Sequence, residues 1–212
     1  MEAVNLQYRN ITVSGLPGGG STTLLRELKE ELQFLGWRGF SGGEFMREYA
    51  SEKGLFNEKG ALHHSSAHYE DDFDRKVDMG MRSKLESEKG WILEAWLSGF
   101  LAQQVPGVLK ILVYCSDDAV RIDRIVNRDS VTAEDVKHNI QKRYQENLDK
   151  WSRMYKNEWQ KWVIEPGTVS SSDPIDFWRP DLYDVAIDTY SSNQQQTLET
   201  VLNALKAEKS TT

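Results

Sequence analysis

The fold class is decided by the stretch Asn10-Ile11-Thr12-Val13-Ser14-Gly15-Leu16-Pro17-Gly18-Gly19-Gly20-Ser21-Thr22. Its first five residues are short and largely β-branched, which predicts a buried strand. The glycine-rich run that follows cannot continue a strand, and leucines then recur at helical spacing up to residue 35. A strand, a glycine-rich loop and a helix in this order are typical of a phosphate-binding loop, or P-loop.

The P-loop pattern is Gly-x4-Gly-Lys-Ser/Thr, and this chain matches it at Gly15, Gly20 and Thr22 but carries Ser21 in place of the lysine. Backbone N–H groups of such a loop cradle phosphates, and a hydroxyl at Thr22 is placed to hold Mg²⁺. Losing one pre-placed donor of the lysine type costs about 10²–10³ in rate, so the pattern predicts phosphate binding more firmly than fast catalysis. A plain glycine-rich turn is the alternative. The predicted nucleotide-binding residues are Gly15, Gly18, Gly19, Gly20, Ser21, Thr22 and Thr23.

Strand and helix patterns alternate along the rest of the chain. Strands are predicted at residues 10–14, 37–40, 91–95, 109–115 and 183–188, and helices at residues 22–35, 43–50, 69–89, 117–127, 132–162 and 194–207. Strands separated by helices imply a parallel sheet with helices on both faces. Ligands bind at the carboxyl ends of the strands in such sheets, where the glycine loop and Glu94 would lie.

Composition narrows the classes of function. The chain has 212 residues, of which 39% are hydrophobic and 28% charged, as in a soluble globular protein. No apolar run approaches the ~18 residues of a membrane helix, the first residues do not resemble a signal peptide, and Cys115 is the only cysteine, so we expect a cytoplasmic protein without disulfides. A net charge of −7 argues against a duplex nucleic-acid binder.

Several segments, in order, resemble the cytidylate kinases of the compact type found in archaea and related bacteria. The resemblance runs from about Ile11 to Leu205. It is carried by residues 11–18, 40–50, 74–78, 121–128 and 183–189, together with Arg143 and Tyr155. It implies an α/β fold, the three-layer α/β/α P-loop NTPase domain with a central parallel sheet. It also implies a monophosphate-binding insertion at about residues 41–90 and a short helical lid at about residues 117–150.

The resemblance further implies a nucleoside monophosphate kinase that moves the γ-phosphoryl of ATP to CMP or dCMP with Mg²⁺, as a monomer or homodimer. The implied catalytic arginines are Arg121, Arg124, Arg128 and Arg143. The implied substrate-binding residues are Ser41, Gly42, Arg47, Asp74, Arg75 and Trp96, and the implied magnesium ligands are Thr22 and Glu94. From charge pattern alone, the arginines at 121, 124 and 128 also fit a solvated helix, and Asp74 and Arg75 also fit a surface ion pair.

Two residues depart from the family pattern. Ser21 replaces the P-loop lysine, and Trp96 stands where the family usually reads the arginine of Glu-Gly-Arg. Tryptophan cannot make bidentate contacts to a phosphate. Two alternatives therefore stay open: a module that binds nucleotides with little or no turnover, and a kinase for a different acceptor whose ring stacks on Trp96. An arginine of the lid is a candidate replacement for the missing lysine charge.

Two other patterns favour structural roles. The histidines at 63, 64 and 68 lack the spacing and cysteines of a zinc site, which favours an exposed loop. An aromatic stripe, defined by Leu148, Trp151, Tyr155, Trp159 and Trp162, recurs at helical spacing and predicts packing rather than a base-binding platform.

Overall fold

The computed structural model describes residues 6–45, 71–129 and 132–206. The predicted substrate-binding residue Arg47, the three histidines of the predicted loop and most of the predicted helix at 43–50 lie outside these ranges. No helix in the described ranges combines the length and the apolar character that a bilayer span requires.

A five-stranded parallel sheet organises the molecule, as the alternation of elements predicts. The strands are β1 (Asn10–Ser14), β2 (Arg38–Ser41), β3 (Trp91–Glu94), β4 (Val108–Tyr114) and β5 (Val185–Asp188). Their spatial order is β2-β3-β1-β4-β5, so β1 lies at the centre with β3 and β4 on either side. The loop after β1 therefore opens at the middle of the carboxyl edge of the sheet.

Helices connect the strands and cover both faces. They are α1 (Ser21–Leu32), α2 (Asp71–Ser87), α3 (Ser98–Leu101), α4 (Asp118–Asp129), α5 (Ala133–Met154), α6 (Lys156–Trp159) and α7 (Gln194–Lys206). The short helix α3 was not predicted, because four residues are too few to show a period. Gly36, with φ 77, ends the turn that follows α1, as predicted.

Two hydrophobic clusters, one on each face of the sheet, make the three layers. Strand β4 shows the division, because Leu109, Ile111 and Val113 pack with α1 and α7, whereas Val108 and Leu112 pack into the cluster of α2, α3 and α6. Successive strand residues point to opposite faces, so one apolar strand serves both layers. The α/β/α architecture is confirmed.

The helix predicted as one element at residues 132–162 is divided in the structure. Helix α5 ends at Tyr155, whose φ of −110 and ψ of 19 leave the helical region, and a π-helical turn, Gln160–Ile164, follows α6. The Tyr155 ring is fully buried, and its centroid lies 5.7 Å from that of Phe100. No proline or glycine lies in the sequence near this helix end, so the sequence gives no sign of it. The aromatic stripe packs into the cluster beside it, which confirms its structural role.

Candidate functional site: a cavity at the carboxyl edge of the sheet

A cavity of about 920 Å³ opens where the strands end. Its wall is built from the P-loop, the segment after β3, helices α4 and α5, and the turn between β5 and α7. Eleven of the residues predicted from the sequence line it: Gly15, Gly18, Gly20, Ser21, Thr22, Thr23, Glu94, Trp96, Arg124, Arg128 and Arg143. The fold thus brings residues from distant parts of the sequence around one space.

The P-loop backbone is shaped for an anion. Gly18 and Gly20 have φ values of 80 and 103, which residues with a Cβ rarely adopt. A Cβ on Gly18 would also lie 2.6 Å from the carbonyl oxygen of Arg121. Gly20 is the N-cap residue of α1 and has no side chain that could bind the first N–H groups of the helix. The first turn of α1 carries no acidic residue. The first N–H groups of α1 and the positive end of its dipole therefore face the cavity unopposed by a carboxylate of that turn.

Ser21, at the position of the missing lysine, is hydrogen-bonded into the protein. Its hydroxyl donates to Oε1 of Glu94 at 2.7 Å, and both side chains are buried. Burial raises the pKa of the Glu94 carboxyl, the Ser21 hydrogen bond opposes this, and the charge of Glu44 adds to it. The loop therefore offers a neutral donor, directed at the end of β3, where the usual pattern offers a cation.

Arg124 braces the P-loop. Its Nη1 donates to the Gly18 carbonyl at 3.2 Å and to Oγ1 of Thr189 at 2.7 Å, while Nη2 donates to the Thr189 carbonyl at 2.9 Å. The Thr189 hydroxyl in turn donates to the Gly19 carbonyl at 2.8 Å. Helix α4, the loop and the end of β5 are thereby joined through one guanidinium. Arg121, one helical turn away, instead lies beneath Gly18, 3.5 Å from Asp118 Oδ1, and does not line the cavity.

Two further arginines line the cavity. Arg128 forms a bidentate pair with Asp129 at 2.7 Å for both contacts. Arg143 makes no ion pair with any carboxylate of the described residues, and its guanidinium lies over the ring of Trp96, 5.0 Å from Cζ to the centroid. Partial desolvation, and then the charge of Arg128, lower the pKa of Arg143. The two guanidinium groups repel each other, and an anion that they shared would relieve this repulsion.

On the other side of the P-loop, Ser41 and Glu44 form a capping box after β2. The Ser41 N–H donates to the Glu44 carboxylate at 2.8 Å, and the Glu44 N–H donates to the Ser41 hydroxyl at 3.3 Å. Both residues, with Thr22, line a second cavity of about 690 Å³ beside α1 and β2. Gly42 lies against the chain just after β3, since a Cβ there would approach the Cβ of Ala95 to 3.2 Å.

The predicted substrate-binding pair Asp74 and Arg75 lies away from the large cavity. Asp74 accepts from Lys150 Nζ at 2.7 Å, and Arg75 pairs with Glu158 and donates to the Met154 carbonyl at 3.2 Å. These contacts join α2 to α5 and α6. Both side chains therefore form ion pairs, which is the alternative to substrate binding that the charge pattern left open.

Sequence reasoning missed the turn after β5. Thr189, Tyr190, Asn193 and Gln196 line the large cavity, and the Tyr190 side chain is exposed. Tyr190 carries an aromatic face, while the other three carry hydrogen-bonding groups. The available signal was the rule already applied to the P-loop: in a parallel sheet every strand delivers its following turn to the same edge.

A magnesium ion fits the donors at one part of the cavity. Thr22 presents a hydroxyl and Glu94 a carboxylate to the same space, and such oxygen ligands suit a hard cation that keeps phosphate and water as its remaining ligands. Across the described residues, no group of three or more His, Cys, Asp or Glu side chains forms a protein-only metal cage.

Comparison with known proteins shows which family the chain is similar to. A family model described as an AAA domain matches residues 11–149. The cytidylate kinase of Methanosarcina acetivorans is 32% identical over 200 residues, covering 93% of this chain and 96% of that protein. The chain belongs to the cytidylate kinase family. The cytidylate kinase of Archaeoglobus fulgidus is 29% identical, covering 94% and 96% of the two chains.

Solved structures confirm the fold. A protein of uncharacterized function from Eubacterium ventriosum superimposes with a TM-score of 0.63 at 14% identity, covering 94% of this chain and 99% of that one. A gluconokinase from Sinorhizobium meliloti gives a TM-score of 0.50 at 12% identity, covering 95% and 93%. At the level of its family the chain is a nucleoside monophosphate kinase-like protein with a nucleotide-binding P-loop.

Proposed function

We propose that this member of the cytidylate kinase family transfers the γ-phosphoryl group of ATP to CMP or dCMP. A phosphate oxygen of the acceptor attacks the γ-phosphorus, the bond from that phosphorus to the β–γ bridging oxygen breaks, and ADP leaves. The main support is that one cavity combines a P-loop with the guanidinium groups of Arg128 and Arg143. Such charges stabilise a phosphoryl group in transfer.

Each part of the cavity has a role in this proposal. The loop from Gly15 to Thr22 cradles the donor phosphates, with Gly19 and Thr23 in support, and Arg124 holds the loop in shape. Thr22 and Glu94 would hold Mg²⁺, which would supply positive charge to offset the charge of the phosphates. On the acceptor side we propose Ser41, Gly42 and Arg47. Residues 41–90 then form the monophosphate-binding region and residues 117–150 the lid.

The arginines offer a physical reason why the loop can work without its lysine. In a P-loop, the lysine supplies one positive charge at the β- and γ-phosphates. Here the cavity wall carries the guanidinium groups of Arg128 on α4 and Arg143 on α5, each of them permanently charged. We propose that Arg143, which has no carboxylate partner among the described residues, supplies from the lid the charge that Ser21 lacks, and that Arg128 contributes when a phosphate competes with Asp129 for its donors. A cytoplasmic location and a monomer or homodimer complete the proposal.

A nucleotide-binding module with little turnover is the second candidate. The Ser21–Glu94 hydrogen bond favours it, because a neutral hydroxyl committed to a carboxylate adds no charge to the transferred group. Trp96 favours a related third candidate, a kinase for another acceptor, since its half-buried ring borders the cavity and offers a stacking surface.

Magnesium-dependent transfer from ATP to CMP, dCMP, UMP, AMP and no acceptor distinguishes these candidates. ATP affinity is measured on the same sample by calorimetry. The proposal predicts turnover that requires CMP or dCMP. ATP binding without turnover would support the binding module, turnover with only another acceptor would support the third candidate, and an inert protein that binds no ATP would overturn all three.

A further inference from the structure

Arg143 has an unusual position among the charged residues of the large cavity. Arg124 donates to main-chain carbonyls and Thr189, and Arg128 is paired with Asp129. Arg143 has neither kind of partner within the described part of the chain; its guanidinium lies over the face of Trp96. Nearby Arg128 repels it. A cation in this setting is available for an anionic ligand, and the ring beneath it restrains its guanidinium.

Trp96 itself is fixed from several sides. Its ring makes edge contacts with Trp151 and Trp178, at centroid distances of 5.7 and 6.1 Å. The indole N–H of Trp178 donates to the Trp96 carbonyl at 2.9 Å. Two residues earlier, Glu94 still belongs to β3 and pairs with Val13 of β1. The ring is therefore a rigid platform attached to the carboxyl edge of the sheet beside the P-loop.

A flat aromatic face attracts a guanidinium through the ring quadrupole and orients its plane without occupying any of its N–H donors. A carboxylate partner would orient the same group but would neutralise its charge and occupy its donors. A tryptophan platform thus suits an arginine whose donors must stay available for phosphate oxygens.

We propose that Trp96 is a positioning residue that presents Arg143 to the phosphate groups of a nucleotide in the large cavity. This inference rests on the proposed binding of phosphates in that cavity. It assigns Trp96 an indirect part in phosphate binding: the ring acts through Arg143 and does not contact the ligand's phosphate or its base.

A double-mutant cycle with inorganic pyrophosphate as the probe tests the inference. Calorimetry would measure pyrophosphate affinity for the full chain and for Trp96→Leu, Arg143→Gln and the double variant. We expect Arg143→Gln to weaken binding about tenfold or more, and Trp96→Leu about two- to fivefold. The double variant should bind no more weakly than Arg143→Gln alone, because Trp96 acts through the group already removed.

Two further variants separate positioning from packing. Trp96→Phe keeps an aromatic face and should restore affinity to within about twofold of the unmodified chain. Trp162→Leu is the matched control, because Arg82 lies over the Trp162 ring at 3.9 Å but neither residue lines the large cavity. It should leave pyrophosphate affinity unchanged, and thermal unfolding would confirm that each variant is folded.

Each other outcome counts against the inference. Additive effects of the two substitutions would show that Trp96 acts independently of Arg143, while the acceptor panel would still decide the proposed function. If Trp96→Leu does not fold, unchanged affinity in Arg143→Gln or a large loss in Trp96→Phe would overturn the inference. Absence of pyrophosphate binding by the unmodified chain would also overturn it.

Discussion

The large cavity and the contact between α2 and α5–α6 both gather charged side chains, but they use them differently. At the helix contact, charges from distant residues pair with one another, as Asp74 does with Lys150 and Arg75 with Glu158. At the cavity, Arg124 is directed to main-chain carbonyls and Arg143 to an aromatic face. Pairing between distant helices indicates a structural role, whereas a cation at a cavity with no acidic partner, or paired only with its sequence neighbour as Arg128 is with Asp129, indicates a place for a ligand's charge.

This difference makes Arg124 the most sensitive position. Arg124→Ala removes three hydrogen bonds that join α4, the P-loop and Thr189. We expect the rate of phosphoryl transfer to fall about 10²–10³-fold, because the loop donors lose their fixed positions. Binding of the acceptor monophosphate, measured by calorimetry, should change little, since the acceptor residues lie elsewhere.

Arg82→Ala provides the matched control for Arg124→Ala. Arg82 also donates to two main-chain carbonyls, those of Leu101 and Gln103, at 2.7 and 2.9 Å, but outside the large cavity. It should lower the free energy of unfolding without altering the turnover of folded protein. Equal loss of turnover in both variants would show that the brace on the P-loop has no special part in transfer.

The arginines of α4 show which parts of the site can be predicted from the sequence. The spacing of Gly15, Gly20 and Thr22 encodes backbone geometry within one segment, so the loop was predictable. Arg121 and Arg124 share one helix face by spacing, yet only Arg124 reaches Thr189, 65 residues further along. Lys150, the partner of Asp74, is 76 residues away. A role that depends on such a distant partner can be assigned only once the fold is known, because helical spacing describes neighbours within one helix alone.

Restoring the P-loop lysine at position 21 tests whether the loop lacks only a positive charge. Ser21→Lys places a charge in the P-loop beside Glu94, and an opposite charge nearby favours the ionised form of that carboxyl. If only charge is missing, ATP affinity and the transfer rate should rise, the rate by about 10–100-fold. Steady-state kinetics and ATP calorimetry measure both quantities.

Ser21→Ala separates the lysine's charge from the loss of the serine. It removes the 2.7 Å hydrogen bond to Glu94 and adds no charge, so it should not raise the rate. A Ser21→Lys variant that folds but leaves both ATP affinity and rate unchanged would contradict the placement of Ser21 at the donor phosphates.

The smallest effect is expected at the helix contact, where a half-buried carboxyl gives a pH signature. Asp78 on α2 accepts a hydrogen bond from the Tyr155 hydroxyl at 2.5 Å. The pKa of Asp78 is raised to about 7, mainly by burial and to a lesser extent by the charge of Asp74, against the opposing effects of the Tyr155 hydrogen bond, Lys150 and Arg75. Because the folded pKa lies above the unfolded value, this group's contribution to stability is complete below pH ~4 and is lost as the pH rises through 7.

Asp78→Asn removes that loss while keeping an oxygen that can accept from Tyr155. For a fully buried group, a pKa shift of this size corresponds to about 4 kcal/mol in the free energy of unfolding. Because Asp78 is partly exposed, we expect Asp78→Asn to raise the free energy of unfolding by about 1–2 kcal/mol at pH 8. Urea unfolding at pH 5 and pH 8 measures it, and the gain should be smaller at pH 5, where the native carboxyl is already largely protonated. Equal effects at both pH values would mean that Asp78 titrates normally. The helix contact would then differ from the cavity, where desolvation raises the pKa of Glu94 and lowers that of Arg143.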